Sequence, residues 1–477
     1  MSSTGPTPTI TLRDVTDADT PVKETALPYL FLVLAAHQPL LEPSRHCLAD
    51  VDRIIIGRGK PDAPRILAES ERILRVQVPD SRISSTHAHV IRKMERWFVE
   101  DLGSTNGTIL NGRRISREYP LADDTLIECG HTFFLFRAAL ATPIGKEEPT
   151  PELASAHPVL RTLLPTLARD FSRLIRIAPS DTSVVILGET GTGKELIARA
   201  VHDLSGRPQD KFVGVNCGAL PPTLLEGELF GYEKGAFSGA DKAHKGYLRS
   251  ADAGTLLLDE IGELPLNSQT AFLRALEERQ VMPLGGKKSV PIDVRLCSAT
   301  HRPLDTLVTE NRFRADLLAR ISGFTVHLPP LRERRMDIGL ILASLLRRVA
   351  KERADQFSLT REAARALLCY RWPLNIREFL KCLEPAVNLA EESRIHLDDL
   401  PEVLHAILEE NPVPIGSGGS VNPPFEFDKD RCAQLRELLK EYEGKIAPIA
   451  RKTGRDRALI RRWIRQCGLH AEDFRKK

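Results

Sequence analysis

Seven consecutive residues, Gly188, Glu189, Thr190, Gly191, Thr192, Gly193 and Lys194, follow the apolar stretch Val184–Leu187 and precede a helix-forming stretch, Glu195–Leu204. Glycines in such a loop let successive backbone N–H groups curl around phosphate oxygens, and the closing lysine reaches the terminal phosphates. The next residue, commonly a Ser or Thr on Mg²⁺, is Glu195, so one usual metal ligand is missing. A second apolar stretch, Leu256-Leu257-Leu258, ends in two acids, Asp259 and Glu260. Transfer of a phosphoryl group to water needs a metal-bound charge and a group that positions the water. Asp259 suits the first role and Glu260 the second, which makes ATP and Mg²⁺ the expected cofactors.

These residues need a scaffold that brings strand ends together. From about residue 159 to 396, apolar strands at Ser183–Leu187, Phe212–Val215, Thr255–Leu258 and Val294–Ala299 alternate with helical periodicity. That alternation predicts an α/β domain with a mainly parallel sheet. Ahead of it, residues 26–140 carry short β-rich runs at Tyr29–Ala36, Arg53–Ile56, Trp97–Val99 and Thr132–Phe136, which predicts an all-β sandwich. Residues 1–25 read as a disordered Thr/Pro/Asp-rich start, 141–158 as a Pro/Glu-rich linker, 397–427 as a second linker, and 428–477 as a small all-α unit. The net charge of +3 carries no nucleic-acid signal by itself, and 42% hydrophobic residues argue against global disorder. Eight scattered cysteines, none in a CxxC pair, fit reduced thiols. The absence of a signal-like start and of a long apolar run predicts a cytoplasmic protein.

Between residues 159 and 396 the chain resembles the AAA+ domain of sigma-54-dependent activators (bacterial enhancer-binding proteins). The most specific stretch is Glu228-Leu-Phe-Gly-Tyr-Glu-Lys followed by Gly235, Ala236, Phe237, Ser238, Gly239 and Ala240, similar to the family's ELFGHEKGAFTGA segment. The resemblance implies that this loop contacts sigma-54, with Phe237 as the contacting aromatic and Ser238 in place of threonine. It further implies that Asn216 holds the catalytic glutamate out of line and that Thr300 senses the terminal phosphate. Arg314 and Arg320 would reach a neighbouring subunit's nucleotide, and Arg377 would be a second sensor. An arginine supplied in trans places each site at a head-to-tail interface, which closes into a ring, a hexamer in this family. His301 stands where the family has asparagine, and Leu374 where it has glycine.

The first block resembles a forkhead-associated (FHA) domain through Ile56-Gly57-Arg58-Gly59, Ser84-Ser85-Thr86-His87, Asp101–Thr108 and Asn111-Gly112. FHA domains read phosphothreonine, whose dianion calls for guanidinium and hydroxyl donors. By match, Arg58, Ser84 and Thr105 bind phosphate, Asn106 holds the peptide backbone, Arg82 reaches further along the peptide, and His87 braces the pocket from inside. Ser85 departs from the arginine or asparagine of many members.

The tail from Leu435 to Leu469 resembles a Fis-type helix-turn-helix, with Thr453-Gly454-Arg455 as the turn and Asp456 capping the recognition helix. Ile460 and Ile464 would face its core, leaving Arg455, Arg457, Arg461, Arg462 and Arg465 for DNA. From Asp428 onward the block holds 15 Lys/Arg against 8 acids, which suits phosphate contact. The combined expectation is an ATP-hydrolysing transcription activator that binds upstream DNA, remodels sigma-54 RNA polymerase and is gated by a phosphothreonine peptide or Ser/Thr kinase signalling. The alternative is a phosphopeptide-reading, DNA-binding adaptor without productive remodelling.

Overall fold

The alternating runs near the N-terminus form two six-stranded sheets packed face to face. The computed structural model describes residues 24–60, 66–70, 72–143, 156–237 and 240–410, and in the C-terminal unit only 436, 438–442, 448, 449 and 474. One sheet runs in the order Ser44–Cys47, Glu24–Ala35, Thr132–Pro143, Thr125–Cys129, Thr108–Leu110, Arg113–Arg114. The other runs Tyr119–Pro120, Arg96–Asp101, Ala88–Lys93, Arg53–Arg58, Ile73–Val78, Ile66–Ser70. Period-two alternation decides which side chains enter the core. Ile54, Ile56, Val76, Val78, Val90 and Val99 of the second sheet meet Leu30, Leu32, Ile127, Phe134 and Phe136 of the first.

Strand Glu24–Ala35 is apolar on both faces over Leu30–Ala35, and the packing explains why. Phe31 and Val33, with Phe133 and Leu135 of its partner, point away from the sandwich interior. They join a second core with Leu167 and Phe171 of helix Pro165–Ile177 and Leu342 and Leu346 of helix Ile338–Ala350. The contact is close: a Cβ on Gly339 would stand 1.8 Å from the Val33 carbonyl oxygen. The Leu359 amide donates to the Ala36 carbonyl at 2.7 Å. Arg365 grips Glu128, itself 1% exposed, through two 2.6 Å hydrogen bonds. The β-sandwich is therefore built onto the α/β region, within one compact unit that extends to Val413.

The α/β domain has a five-stranded, all-parallel sheet in the order Phe212–Asn216, Thr255–Asp259, Arg295–Thr300, Val184–Gly188, Phe324–Leu328. From Val184–Gly188 the chain crosses to the far edge, works back, and finishes on the other side. The first strand is thus the topological switch point, where ligands bind at strand carboxyl ends. The helices Arg361–Cys369, Asn375–Leu389 and Glu402–Glu410, with the segment from Leu331 that leads into them, complete the domain as a helical lid. Here the expected linker 397–427 needs correction. Residues 397–410 fold as a turn and a helix, with Leu400 and Leu404 buried in the domain core. At the other boundary, strand Thr132–Pro143 runs three residues into the expected 141–158 linker.

The C-terminal unit spans Pro414–Lys477. Its described residues include helical positions at Arg436, Leu438–Glu441 and Pro448–Ile449. The predicted DNA contacts Arg455, Arg457, Arg461, Arg462 and Arg465 lie outside the described residues, as do residues 1–23 of the expected disordered start 1–25; Glu24 and Thr25 instead belong to strand Glu24–Ala35, paired with Pro143 and Thr142.

Candidate nucleotide site and phosphopeptide face

Cross-strand register assembles the nucleotide site. Leu187 pairs with Thr300, Ala299 with Asp259, and Asp259 with Asn216, so four strand ends open on one crevice. The loop leaving Val184–Gly188 takes positive φ at Gly191 (+81°) and Gly193 (+101°), where only glycine is unstrained. Lys194 begins the next helix, is 7% exposed, and turns its ammonium back into the loop, donating to the Gly188 and Glu189 carbonyls at 2.9 and 3.3 Å. Thr192 is buried and its hydroxyl donates to the Glu189 carbonyl at 2.8 Å. Glu195 is exposed and pairs with Arg199 at 2.9 Å.

The two acids differ in environment. Burial, then the Glu260 charge, push the Asp259 carboxyl above the usual range, with Lys194 only partly opposing them. A cation on Asp259 would relieve this repulsion, so the pair fits the divalent ion that accompanies a nucleotide. Glu260, at a left-handed φ of +53°, lies 3.7 Å from the Lys194 ammonium through Oε1. Its Oε2 lies 2.7 Å from Nδ1 of His301. Asn216 turns elsewhere: its Oδ1 accepts the Gly218 amide at 2.9 Å. Thr300 is fully buried and its Oγ1 accepts the Arg302 amide at 3.0 Å.

The helical lid clamps the loop through residues whose roles the sequence did not disclose. Asn375 donates to Glu189 and to the Thr190 carbonyl at 3.2 and 3.0 Å, and accepts the Leu331 amide at 2.7 Å. The Ile376 amide donates to the Gly191 carbonyl at 2.9 Å, and buried Arg334 donates to the Thr192 carbonyl at 3.0 Å. Arg332 forms a bidentate pair with Glu189 at 2.6 and 2.8 Å, which holds that carboxyl below its usual range. Arg332 and Arg334 sit in Pro329-Pro-Leu-Arg-Glu-Arg334, a run that also resembles the activator family, but the resemblance gave these arginines no role. Arg377 is exposed, its Cβ 3.1 Å from where a Cβ on Gly191 would lie. Arg314 pairs with Asp316 at 2.6 Å, and Arg320 donates to the Leu276 carbonyl at 3.2 Å. Neither arginine bonds to its own phosphate loop.

A separate loop projects Phe237. Tyr232 and His244 exchange backbone hydrogen bonds at 3.0 and 2.8 Å, closing its base. The Gly235 amide donates to the Ala240 carbonyl at 2.8 Å, and the Ala240 amide to the Phe237 carbonyl at 3.0 Å. Phe237 remains 43% exposed, edge-on to Tyr232 with ring centroids 5.0 Å apart. Ala236 leans on Gly285. Ser238 and Gly239 lie outside the described residues.

On the β-sandwich, the residues matched to phosphopeptide reading gather at one edge. The Arg58 amide donates to the Ser84 carbonyl at 2.9 Å, and the Thr105 amide to the Ser84 hydroxyl at 3.2 Å. The Asn106 amide group donates to the Arg82 carbonyl at 2.7 Å. A Cβ on Gly57 would stand 2.1 Å from the Ser85 carbonyl, so glycine lets the Ser84–Thr86 loop cross this strand. His87 is fully buried. Its Nδ1 accepts the Ser84 amide at 3.1 Å, and its Nε2 meets the Gly107 carbonyl at 3.3 Å. Burial lowers its pKa, which favours the neutral ring this bonding needs.

Comparison with known proteins identifies the domains that carry the two sites. Residues 163–327 match the Sigma-54 interaction domain family, residues 332–413 the AAA+ ATPase lid domain, and residues 54–130 the FHA domain. The chain is 38% identical over 317 residues to the transcriptional regulatory protein ZraR of Escherichia coli, covering 66% of this chain and 70% of that one. It is 45% identical over 236 residues to the Nif-specific regulatory protein of Azospirillum brasilense, covering 50% of this chain and 38% of that relative. The chain thus spans well under half the length of that relative. Among solved structures, NtrX from Brucella abortus in complex with ADP is similar at 27% identity and a TM-score of 0.46, over 67% of this chain and 70% of that one. Among the described residues no helix is long and apolar enough to cross a membrane.

Proposed function

Because the chain belongs to the sigma-54-dependent activator family, we propose that its AAA+ domain hydrolyses ATP to drive the Phe237 loop against sigma-54 in RNA polymerase, opening the promoter complex. The observation that carries this reading is the exposed Phe237 on a tightly closed, glycine-flanked loop in the same domain as the Lys194–Asp259–Glu260 crevice. ATP with its Mg²⁺ supplies the bond whose hydrolysis releases the energy. Lys194 and the loop amides hold the phosphates, Asp259 holds the metal ion, and Glu260 orients the attacking water. Asn375, Arg332 and Arg334 tie the lid to the loop, so a change at the phosphates reaches the lid helices.

Arg314 and Arg320 act on the nucleotide of a neighbouring subunit, which makes the working form a ring, a hexamer by family pattern. Their bonding away from their own loop supports this. The C-terminal helix-turn-helix holds the ring at upstream DNA, and many tails per ring strengthen a weak single contact. The FHA face binds a phosphothreonine peptide through Arg58, Ser84 and Thr105, and the packed contact between sandwich and lid carries that event to the ATPase.

A second reading, an adaptor that reads phosphopeptides and DNA without productive remodelling, is favoured by the His301 contact that occupies Glu260. ATP turnover and open-complex formation by sigma-54 polymerase separate the two. The activator predicts both in the wild type and neither in Lys194→Ala. Turnover at background in the wild type would favour the adaptor. Loss of phosphothreonine-peptide binding in Arg58→Ala/Ser84→Ala tests the FHA assignment on its own.

A further inference from the structure

Three side chains outside both sites converge on the sandwich: His37 in the turn after strand Glu24–Ala35, Asp80 after strand Ile73–Val78, and His131 in the turn between Thr125–Cys129 and Thr132–Pro143. Their ligand atoms all lie within 4.8 Å of one another. His37 Nδ1 is 3.9 Å from Asp80 Oδ2, and His131 Nδ1 is 3.5 Å from Asp80 Oδ1. Asp80 is 1% exposed, whereas the two imidazoles are 28% and 29% exposed, so the cluster is anchored inside and open outside.

The hydrogen bonding leaves this corner short of a cation. His37 Nε2 pairs with the Pro79 carbonyl at 3.1 Å, an acceptor, so that nitrogen carries the proton. Nδ1 of the neutral ring is then a lone pair, buried and without a hydrogen-bond partner, facing a carboxylate. Asp80 Oδ2 accepts the His131 amide at 2.7 Å and the Thr132 hydroxyl at 3.0 Å, and Oδ1 accepts the Arg82 amide at 2.9 Å. A carboxylate offers about four acceptor positions, so one on Oδ1 remains. Gly130 makes the approach possible, because a Cβ there would stand 2.8 Å from Asp80 Oδ2.

We propose that His37 Nδ1, His131 Nδ1 and the Asp80 carboxylate bind a divalent transition-metal cation of the Zn²⁺ class, with an outward fourth position for water. Two imidazoles and one carboxylate are a donor set that suits Zn²⁺. Ligand atoms about 2.1 Å from a tetrahedral ion lie roughly 3.4 Å apart, so inward shifts of the two partly exposed imidazoles complete the site. The ion would join three segments. One is the loop carrying Arg82 and Ser84, another is the Gly130–His131 turn, and the third is the chain at Ala36, whose carbonyl accepts from Leu359 of the lid. It would therefore stiffen the path from the peptide-reading edge to the ATPase lid.

The test is titration of the chelator-stripped full chain with Zn²⁺ against a chromophoric competitor, repeated with Co²⁺ to read visible ligand-field bands. The wild type is expected to bind one tight equivalent that raises its melting temperature. His37→Ala and His131→Ala should each weaken that equivalent by roughly tenfold or more, in line with the sensitivity of metal sites to lost partners. The double variant should lose it while keeping the circular dichroism of the wild type. His89→Ala, elsewhere on the sandwich and paired with Glu100, should leave it unchanged. A tight equivalent that survives in the double variant, or no Zn²⁺-dependent shift in the wild type, would overturn the site. The remaining contact would then be an ordinary imidazole–carboxylate pair.

Discussion

Glu260 is engaged at both of its carboxylate oxygens, by Lys194 on one side and His301 on the other. Lys194, Asp259 and Glu260 were legible in the sequence because a phosphate loop and an acidic strand end demand those residue types at fixed positions. The His301 hold was not, because it joins residues 41 positions apart and becomes visible only once the strands are in register. The asparagine expected to hold the glutamate, Asn216, instead satisfies its own turn. If His301 orients Glu260 for water, His301→Ala should lower kcat for ATP by roughly tenfold, a fraction of what a positioned base contributes. KM should barely move and His301→Asn should retain most of the activity; a KM effect alone would contradict this role. A second residue-scale prediction concerns His46, buried in the sandwich with its ring 3.0 Å from the Ser44 hydroxyl. Burial depresses its pKa to about 4. Its contribution to stability is complete above about pH 6.5 and is lost as pH falls toward 4, because the unfolded chain takes up the proton first. The loss is on the order of 3 kcal/mol. Urea titrations at pH 7.5 and 4.5 should show a steeper decline for the wild type than for His46→Gln.

At the scale of elements, periodicity located the strands well. The runs at Ser183–Leu187, Phe212–Val215, Thr255–Leu258 and Val294–Ala299 all became neighbours in one parallel sheet. The apolar run at Leu30–Ala36 also carried more information than a single strand. An unbroken apolar stretch means both faces are covered, and here the second cover is the α/β region itself. The helix Glu402–Glu410 was hidden by the Pro/Gly-rich stretch after it, although Leu404 inside it and Leu400 just before it are both buried in the domain core. Within the lid clamp, the buried Asn375 bonds the loop at both Glu189 and Thr190. Asn375→Ala would leave the Leu331 amide unpaired in the core and free the Thr190 carbonyl from the lid. A loss of about 1–3 kcal/mol in unfolding free energy is expected, together with weaker ATP binding. Unchanged nucleotide affinity would mean the lid contact does not shape the loop.

At the scale of the molecule, sequence composition suggested beads on a string, whereas the sandwich and the ATPase share a core. Linker-like composition reports what a segment lacks and is silent on whether the domains beside it touch. The polar centre of that contact is Arg365 on Glu128. Removing the guanidinium in Arg365→Ala strands a buried carboxylate, which should destabilise the protein by about 3–5 kcal/mol, read by denaturant unfolding. Replacing both residues with apolar ones of similar volume should recover most of the loss. If Arg365→Ala unfolds like the wild type, the sandwich does not rest on the lid in solution. The central claim, that hydrolysis is converted into work on the polymerase through one exposed aromatic, is tested most directly by Phe237→Ala in the full chain. Its ATP turnover should match the wild type, since Phe237 touches none of the phosphate-loop groups, while open-complex formation by sigma-54 polymerase should fall to background. Promoter opening at the wild-type rate in that variant would contradict the account.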